Sequence, residues 1–393
     1  MTSAQLDKQK LLPLLEDLNK AIEDLLLTGL TTASDATRQT LNVSFQEASR
    51  FGLLRLGGTL KVACDELGRF TRNHPDFSRK RFSFFLNRAW LLSKGLSKAL
   101  KEQNDSEFER LKWIPPNSPV TKLEVITLGC NKKVVTNAFC SFEFRLRCIA
   151  GESDAILPDG VLPDQKLIWS FLFPIKPGSE IPADGYLHMP QKAKQSFNAI
   201  QFLEGKKIAI ENCSMAVDAF GTARLTFTEQ TTVSFGEAYK GWETHLSWNE
   251  DLTLKRLRSH QPSPLELDNE LQEEILLKDW SIQEAIDDPQ QDQIVFPIVH
   301  KDLVFKAVVS RGTDGVTLLE NLSELRKSST QPKAPPLPTL FGLLHYEKCR
   351  LVLQALTTFD GKDPAKGPKH LMLGKEKIKR EVLLQVLYPK ENK

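Results

Sequence analysis

The sequence predicts an α+β protein in which an N-terminal antiparallel helical bundle precedes a mainly antiparallel β domain and a mixed α+β region. Apolar residues recur at three- and four-residue steps in the first third and alternate with polar residues in the middle third. The final third contains both patterns. The predicted domain boundaries are residues 1–112, 119–250 and 262–393, with a Pro-rich connector at 328–338.

Four amphipathic helices are expected in the first third. The apolar stripe of the first helix consists of Leu11, Leu14, Leu15, Leu18, Ile22, Leu25 and Leu26. Gly29 offers a stop signal, and Ser34 and Asp35 are candidate N-caps of the second helix. A third helix is expected over 59–72 and a fourth over 78–102, on either side of an Asn-His-Pro break.

Alternation predicts five strands in the middle third. Their expected ranges are 123–128, 134–150, 166–173, 207–217 and 223–235. The pattern is compatible with either a sandwich or an open barrel. Cys140 and Cys148 share parity with the apolar residues of the second strand, so both thiols are expected in the core. In the third strand, Ser170 alone interrupts an apolar run, which predicts burial of both faces.

The final third is expected to contain an acidic helix, a hairpin, a second helix and a second hairpin. Their ranges are 265–285, 293–299 with 303–310, 317–327, and 340–344 with 350–356. Pro297 places its strand at a sheet edge or a bulge, because proline cannot donate a ladder hydrogen bond. A basic tail follows from Lys362 to Arg380.

The composition indicates a globular protein of ordinary type. The chain has 393 residues, 40% of them hydrophobic, and a formal charge of +2. It has no apolar run of the roughly 20 residues that span a bilayer. The first ten residues are polar and do not resemble a secretory signal, so we expect a cytoplasmic protein. Six scattered cysteines without a CxxC pair do not suggest a disulfide-built fold.

The near-neutral total hides two blocks of opposite charge. Residues 72–101 contain eight cations and one acid, whereas residues 266–292 contain ten acids and one lysine. Such local fields can steer a partner or orient one part of a chain on another. With both blocks placed on helices, one hypothesis is that the Glu273 and Glu274 face meets Lys94 and Lys98, within one molecule or between two.

The fourth helix supplies the candidate partner-binding residues. A helical wheel places Phe84 and Leu91 nearly opposite the core face, near Arg88, Lys94 and Lys98. A helix that is apolar on two sides is either central in its domain or presents a contact stripe. Three interpretations follow: packing under the β domain with a solvated basic rim, binding of a protein partner, or binding of nucleic acid.

The sequence contains no motif that identifies an enzyme. Phosphate-binding loops, dinucleotide fingerprints, HExxH and GxSxG are absent, and the seven histidines are widely separated. Asp164 followed by Glu204-Gly205-Lys206 resembles a nuclease arrangement, but Pro-Asp and Glu-Gly-Lys are more typical of turns. We therefore expect no catalytic residue, no metal ligand and no cofactor.

Leucine-rich phrases give the chain a resemblance to one group of bacterial proteins. The phrases are Asp24-Leu-Leu-Leu-Thr-Gly-Leu, Phe51-Gly-Leu-Leu-Arg-Leu-Gly-Gly, Pro338-Thr-Leu-Phe-Gly-Leu-Leu and Arg350-Leu-Val-Leu-Gln-Ala-Leu. They resemble accessory proteins encoded near MoxR-type ATPases, von Willebrand A domain proteins and SWIM zinc-finger proteins. The resemblance covers the helical third and the last hairpin, and it implies an accessory subunit without catalytic residues. This chain has no SWIM-type ligands and no ATPase motif.

The first functional hypothesis is therefore a non-enzymatic adaptor of a bacterial multi-protein system, with a protein partner that belongs to an ATPase-associated system. The partner would bind the basic and apolar fourth helix. The second hypothesis is a nucleic-acid-associated subunit that uses this helix and the C-terminal tail. An enzyme of unfamiliar type is the third.

Overall fold

The α+β class and the predicted order of helices, antiparallel strands and a mixed region are confirmed. The computed structural model describes residues 8–32, 35–75, 77–112, 117–135, 139–149, 164–175, 182–189, 197–217, 222–260, 271–290, 292–312, 314–331, 335–347, 350–360 and 366–374. It contains two compact units, one within Met1–Pro115 and one made of Pro116–His260 with Asp268–Lys393. The separation of 119–250 from 262–393 as domains stays a prediction. None of the described helices is long and apolar enough to cross a membrane.

The N-terminal unit is a helical bundle. Its described helices are α1 Lys8–Thr28, α2 Asp35–Arg50, α3 Leu54–Thr71, α4 Arg79–Lys101 and the short α5 Asp105–Lys112, which the sequence pattern did not predict. Gly29 ends α1 with a positive φ of 84°, and its N–H donates to the carbonyl of Leu25 at 2.9 Å. Leu25 is buried, but Leu26 is 47% exposed, so its predicted place in the core stripe is wrong. One residue further along a helix turns the side chain by about 100°, away from the core.

The second unit begins with a closed β-barrel. Its strands are β1 Ser118–Val135, β2 Phe139–Cys148, β3 Lys166–Pro174, β4 Lys206–Val217, β5 Ala223–Thr226 and β6 Thr232–Ala238. The long β1 pairs with β4 through its first half and with β2 through its second half. The order β1-β2-β3-β5-β4 therefore returns to β1, and β3 pairs with β5 in parallel. This closure selects the barrel over the sandwich.

The core of this first barrel is rich in aromatic side chains. Phe144 stacks on Trp169 with centroids 5.0 Å apart, and Trp169 stacks on Phe227 at 4.6 Å. Cys140 and Cys148 are fully buried, as predicted, and burial raises the pKa of the Cys140 thiol to about 12. The expected burial of both faces of β3 is wrong beyond Trp169. Its outward residues Ser170 and Leu172 are exposed, whereas Ile168 on the same face is buried.

A second barrel follows helix α6, which spans Glu250–Ser259. Its elements are β7 Gln272–Leu277, β8 Trp280–Ile282, β9 Ile286–Asp288, β10 Gln293–His300, β11 Leu303–Ser310, α7 Val316–Ser329, β12 Thr339–Glu347, β13 Arg350–Phe359 and β14 Pro368–His370. Both predicted hairpins and the helix α7 are present. Strands β7 and β8 are separated only by Lys278 and Asp279, and they pair with β12 and β10 respectively. Since the sheet order is β7-β12-β13-β11-β10-β8, this bent segment closes the barrel.

Proline has no backbone N–H to donate, and Pro297 lies at a point of β10 where no strand pairs with the outer side of β10. On the outer side of β10, β8 pairs as far as Ile298 and β9 pairs from Val295. Pro297 falls between these two short strands and accepts a hydrogen bond from the N–H of Gln283 at 2.9 Å. The predicted edge position or bulge is therefore wrong, because β10 is paired on both sides and keeps a continuous register with β11. Proline is tolerated here in a gap between two short partner strands.

The predicted acidic helix over 265–285 is wrong in its described part. Residues 272–277 and 280–282 are strands, while 261–270 lie outside the described residues. Ile275, Leu276 and Leu277 are all buried because this strand lies inside the second unit. Tertiary burial therefore overrides the helical spacing of the leucines, as it often does for short apolar runs.

The two barrels share one topology. In the first barrel, β1 pairs with β2 and β4, and β3 pairs in parallel with β5. In the second barrel, the bent segment β7–β8 takes the place of the first strand and pairs with β10 and β12, while β11 pairs in parallel with β13. This is the topology of the OB-fold, a five-stranded Greek-key barrel. The barrels also contact each other at Asp184, in the 3₁₀ turn Ala183–His188 of the first barrel. Asp184 forms a 2.9 Å ion pair with Lys132 of the same barrel and accepts a hydrogen bond from the N–H of Gly374, which follows the last strand of the second barrel, at 2.8 Å.

Gly129 on β1 lies against the second barrel, where a side chain has no room. A Cβ atom there would stand 2.9 Å from Cε1 of the fully buried Phe341. We expect Gly129→Ala to lower the free energy of unfolding of the second unit by about 1–3 kcal/mol, through overpacking. Urea unfolding followed by tryptophan fluorescence measures the loss.

Gly236→Ala on the exposed strand β6 is the matched control, since its Cβ would make only an ordinary 3.6 Å contact with Lys207. We expect it to change stability by less than about 0.5 kcal/mol. Equal effects of the two substitutions would contradict the close contact at Gly129.

Candidate interaction surface

The start of α4 is fixed by a buried carboxylate on α3. Glu66 is fully buried and accepts a hydrogen bond from the N–H of Ser78 at 2.9 Å. The guanidinium of Arg81 lies 2.8 Å from the same carboxylate, and Arg69 also pairs with it. Ser78 is the N-cap, and its hydroxyl accepts from the N–H of Arg81 at 3.3 Å. These contacts set where α4 begins.

One face of α4 lies in the core of the bundle. Its buried apolar residues are Phe82, Leu86, Ala89, Leu92, Leu96 and Ala99. Ser93 is buried among them and donates to the carbonyl of Leu15 on α1 at 3.1 Å. The core face predicted from the helical wheel is therefore present, with Phe85 and Leu100 at its half-buried margin.

The opposite face of α4 carries a row of exposed and half-buried side chains, here called the outer stripe. Its members, at three- and four-residue steps, are Lys80, Phe84, Asn87, Leu91, Lys94 and Lys98. Phe84 is 49% exposed, which is unusual for a phenylalanine, and Leu91 is half-buried one and a half to two turns further on. The stripe therefore has an apolar centre with lysines at both ends.

Four of the five predicted binding residues, Phe84, Leu91, Lys94 and Lys98, share this stripe. Arg88 lies beside it and is half-buried. Their assignment to partner binding stays a prediction.

The lysines of the stripe differ in how they are paired. Lys94 forms a 2.8 Å ion pair with Glu23 on α1, and the indole N–H of Trp90 donates to the same carboxylate oxygen at 2.8 Å. Hydrogen bonds from Lys94 and then from Trp90 lower the pKa of Glu23. Lys98 is 3.9 Å from Glu102, too far for a hydrogen bond. Lys94 therefore binds within the bundle, while Lys98 extends into solvent.

Leu27 was not predicted as a surface residue, yet it is 86% exposed at the end of α1. It follows Glu23 by four residues, so both side chains lie on the same face of α1. Sequence periodicity placed Leu25 and Leu26 in the core stripe of this helix and assigned no role to Leu27. Finding Leu27 requires the register between α1 and α4, which the sequence does not contain.

The two glutamates of the acidic block that were expected to meet α4 do not form an exposed face. Glu273 and Glu274 are buried, and their cationic partners lie in the same unit. Glu273 accepts from Arg256 at 2.8 Å, and Glu274 accepts from Arg147 at 2.6 Å. The hypothesis that these two glutamates meet Lys94 and Lys98 is wrong for the chain as folded.

These contacts define an inter-barrel ion cluster between β2, β3, β7 and α6. Its members are Glu143, Arg145, Arg147, Lys166, Arg256, Gln272, Glu273 and Glu274. Burial raises the pKa of Glu273 more than Lys166 and Arg256 lower it. Burial also raises the pKa of Glu274, but Arg147 and the other cations outweigh it and leave the pKa lowered.

A polar cavity of about 260 Å³ adjoins this cluster. Asp164, which has a positive φ of 61°, pairs with Nδ1 of His245 at 2.5 Å, and Nε2 of His245 lies 2.8 Å from the hydroxyl of Tyr239. Both ring nitrogens of His245 are thus engaged, which leaves neither for a substrate proton. Glu204 accepts from Lys206 at 2.7 Å. Among the described residues, no group of three or more His, Cys, Asp or Glu could hold a metal ion.

Comparison with known proteins gives no family. No protein-family model matches the chain, and no curated protein matches it. A solved structure described as the "Ifi202 HINa domain in complex with 20bp dsDNA" is 12% identical, with a TM-score of 0.29, and the match covers 61% of this chain and 94% of that one. Another, described as "Molecular basis for abrogation of activation of pro-inflammatory cytokines", is 14% identical, with a TM-score of 0.28 and coverages of 61% and 90%. Scores this low assign no function to the chain.

The Arg147–Glu274 pair predicts a specific pH dependence of stability. Glu274→Gln leaves the guanidinium of Arg147 buried without its anion, so we expect a loss of about 3–5 kcal/mol at neutral pH. Because the folded pKa of Glu274 is lowered, the stabilisation is complete above the ordinary value of 4.5 and is lost as the pH falls through the folded pKa. Urea unfolding at pH 7 and below pH 4 should therefore show the variant approaching the natural protein in acid.

Glu204→Gln is the control for this measurement, since Glu204 forms a half-exposed pair with Lys206. We expect it to change stability by less than about 1 kcal/mol at neutral pH. A deficit of Glu274→Gln that is the same at both pH values would exclude the ion pair as its cause.

Proposed function

We propose that this protein is a non-enzymatic interaction subunit, an adaptor of a bacterial multi-protein system, that binds a protein partner through the outer stripe of α4. The observation that carries the proposal is the exposure of Phe84 on a helix whose other face is fixed in the core. Exposed aromatic residues on rigid elements are typical of the centres of protein interfaces. The resemblance to accessory proteins of ATPase-associated systems supports the same class of function.

The paired charges of the first barrel also favour a protein partner. On OB-fold barrels, oligonucleotides bind the outer face of the second and third strands. In the first barrel that face carries Arg145 and Arg147, but both are buried and paired with residues of β7. Cations that are already neutralised release no counterions from a phosphate backbone and add little to its binding.

A nucleic-acid-associated subunit is the second candidate. One observation favours it: α4 contains seven lysines and arginines and no acid. The basic tail that this candidate would also use lies mostly outside the described residues. A mobility shift of duplex DNA or RNA that weakens with salt, and that charge reversal of Lys94 and Lys98 abolishes, would favour this candidate over the first.

Site-specific cross-linking tests the first proposal. A photoreactive phenylalanine analogue in place of Phe84 should form a discrete protein cross-link in the native host, and nuclease treatment should not remove it. The same analogue in place of Val43 on α2, which is 48% exposed, is the control and should not form that product. Identical products at both positions, or no product at position 84, would contradict the assignment of the stripe.

A further inference from the structure

A cavity of about 390 Å³ lies where the 3₁₀ turn Trp242–His245 meets the second barrel. It shares no lining residue with the polar cavity at His245. Binding sites for small organic molecules are typically concave, mostly apolar and about 300–1,000 Å³ in volume. The size of this cavity, here called the Trp242 cavity, therefore suits a small organic ligand.

The inner wall of the Trp242 cavity is apolar. Trp242, Leu246 and Phe359 line it, and all three are buried. The rings of Trp242 and Phe359 contact each other with their centroids 5.7 Å apart and their planes at 44°. Thr339 on β12 adds a half-buried hydroxyl group. A flat aromatic ring covers such a wall with stacked or edge-to-face contacts.

One polar group in this wall is without a partner. The indole N–H of Trp242 is buried and donates to no acceptor in the described part of the chain. The indole N–H of Trp280, in contrast, donates to the carbonyl of Pro338 at 2.7 Å. Buried donors are nearly always hydrogen-bonded, because an unpaired one has lost its water without compensation. Trp242 therefore offers a free donor in an apolar wall.

The edge of the indole that carries this donor faces two glycines. Nε1 and Cζ2 are bonded to the same ring carbon, and Cζ2 lies 3.6 Å from the position that a Cβ atom would take on Gly205. The same position is 4.0 Å from Cα of Gly367, which lines the cavity. The N–H thus lies on the side of the ring where the wall carries no side chain.

The charges at the rim of the cavity balance. Lys278 and Glu243 are exposed there, and Asp360 pairs with Lys366 at 3.2 Å. This rim attracts neither an anion nor a cation strongly. A charged ligand would also lose its hydration against the apolar wall without gaining a counterion. The rim therefore favours an uncharged ligand.

We infer that the Trp242 cavity binds a small, uncharged heteroaromatic compound whose ring nitrogen or carbonyl oxygen accepts the indole N–H of Trp242. Because Trp242 is fully buried, the acceptor must be on the part of the ring that enters the cavity first. The inference is independent of partner binding by α4, since no lining residue of the cavity belongs to the helical bundle. Its failure would leave the proposed adaptor function standing.

Nuclear magnetic resonance of the isotopically labelled full chain tests the inference, with quinoline as the probe at a pH where its ring nitrogen is uncharged. Each of the six tryptophans gives one indole N–H signal, and Trp242→Phe identifies the signal of Trp242 by its loss. Quinoline should move this signal downfield until it saturates, because the proton becomes hydrogen-bonded. The signal of Trp280, which already donates to Pro338, is the internal control and should not move.

Indole is the matched probe, because it has a similar flat two-ring shape but offers only a donor. It should bind about tenfold more weakly than quinoline to the natural chain, so this comparison needs no variant. Thr339→Phe fills the cavity and should abolish the shift caused by quinoline. Val304→Phe, at an exposed position on β11, is its control and should leave the shift unchanged.

Four results would overturn the inference. They are an unmoved Trp242 signal up to the solubility limit of quinoline, equal binding of quinoline and indole, an equal shift of the Trp280 signal, and a shift that survives Thr339→Phe.

Discussion

The buried ion pair between Arg147 on β2 and Glu274 on β7 is the interaction on which the second unit depends most directly. Removing two charges from water is unfavourable unless each finds its counterion in good geometry, and here the 2.6 Å contact joins one barrel to the other. The pair also determines how the flanking residues behave. Because Glu274 pairs with Arg147, β7 runs as a strand beside the first barrel. Glu273, the preceding residue, lies on the other face of β7 and pairs with Arg256 and Lys166.

The two charge blocks of the sequence are consequently used in different ways. In the described part of the acidic block, Glu273 and Glu274 are neutralised inside the second unit, where their charges orient one barrel on the other. The cations of α4 lie at or near the surface of the bundle, where Lys101, Lys94 and Arg81 pair with Glu16, Glu23 and Glu66 respectively. An excess of one kind of charge in a stretch of sequence can therefore lie buried among counterions or lie at the surface, and the fold determines which.

Much of the fold follows from local pattern, and the exceptions have a common physical cause. The spacing of Leu11, Leu15, Leu18 and Ile22 identifies α1, and the parity of Cys140 and Cys148 identifies the inner face of β2, because each pattern describes burial by near neighbours. Residues 272–277 lie in a segment whose apolar residues have a helical spacing, but they form a strand because they pair with β12, which is distant in sequence. The candidate site divides in the same way: Phe84 and Leu91 are visible on a single helical wheel, whereas the exposure of Leu27 is visible only in the folded bundle.

The hydrogen bond from Gly374 to Asp184 links residues 190 positions apart and has a consequence for biosynthesis. Asp184 belongs to the first barrel, together with its buried partner Lys132, but one of its hydrogen-bond donors is near the end of the chain. On the ribosome, the first barrel can form its strand pairings and the Lys132–Asp184 ion pair early, yet Asp184 gains its second donor only after residue 374 has been synthesised. The two barrels share a late assembly step, so a synthesis product interrupted before residue 374 would carry Asp184 bound to Lys132 alone, without the contact that joins it to the second barrel.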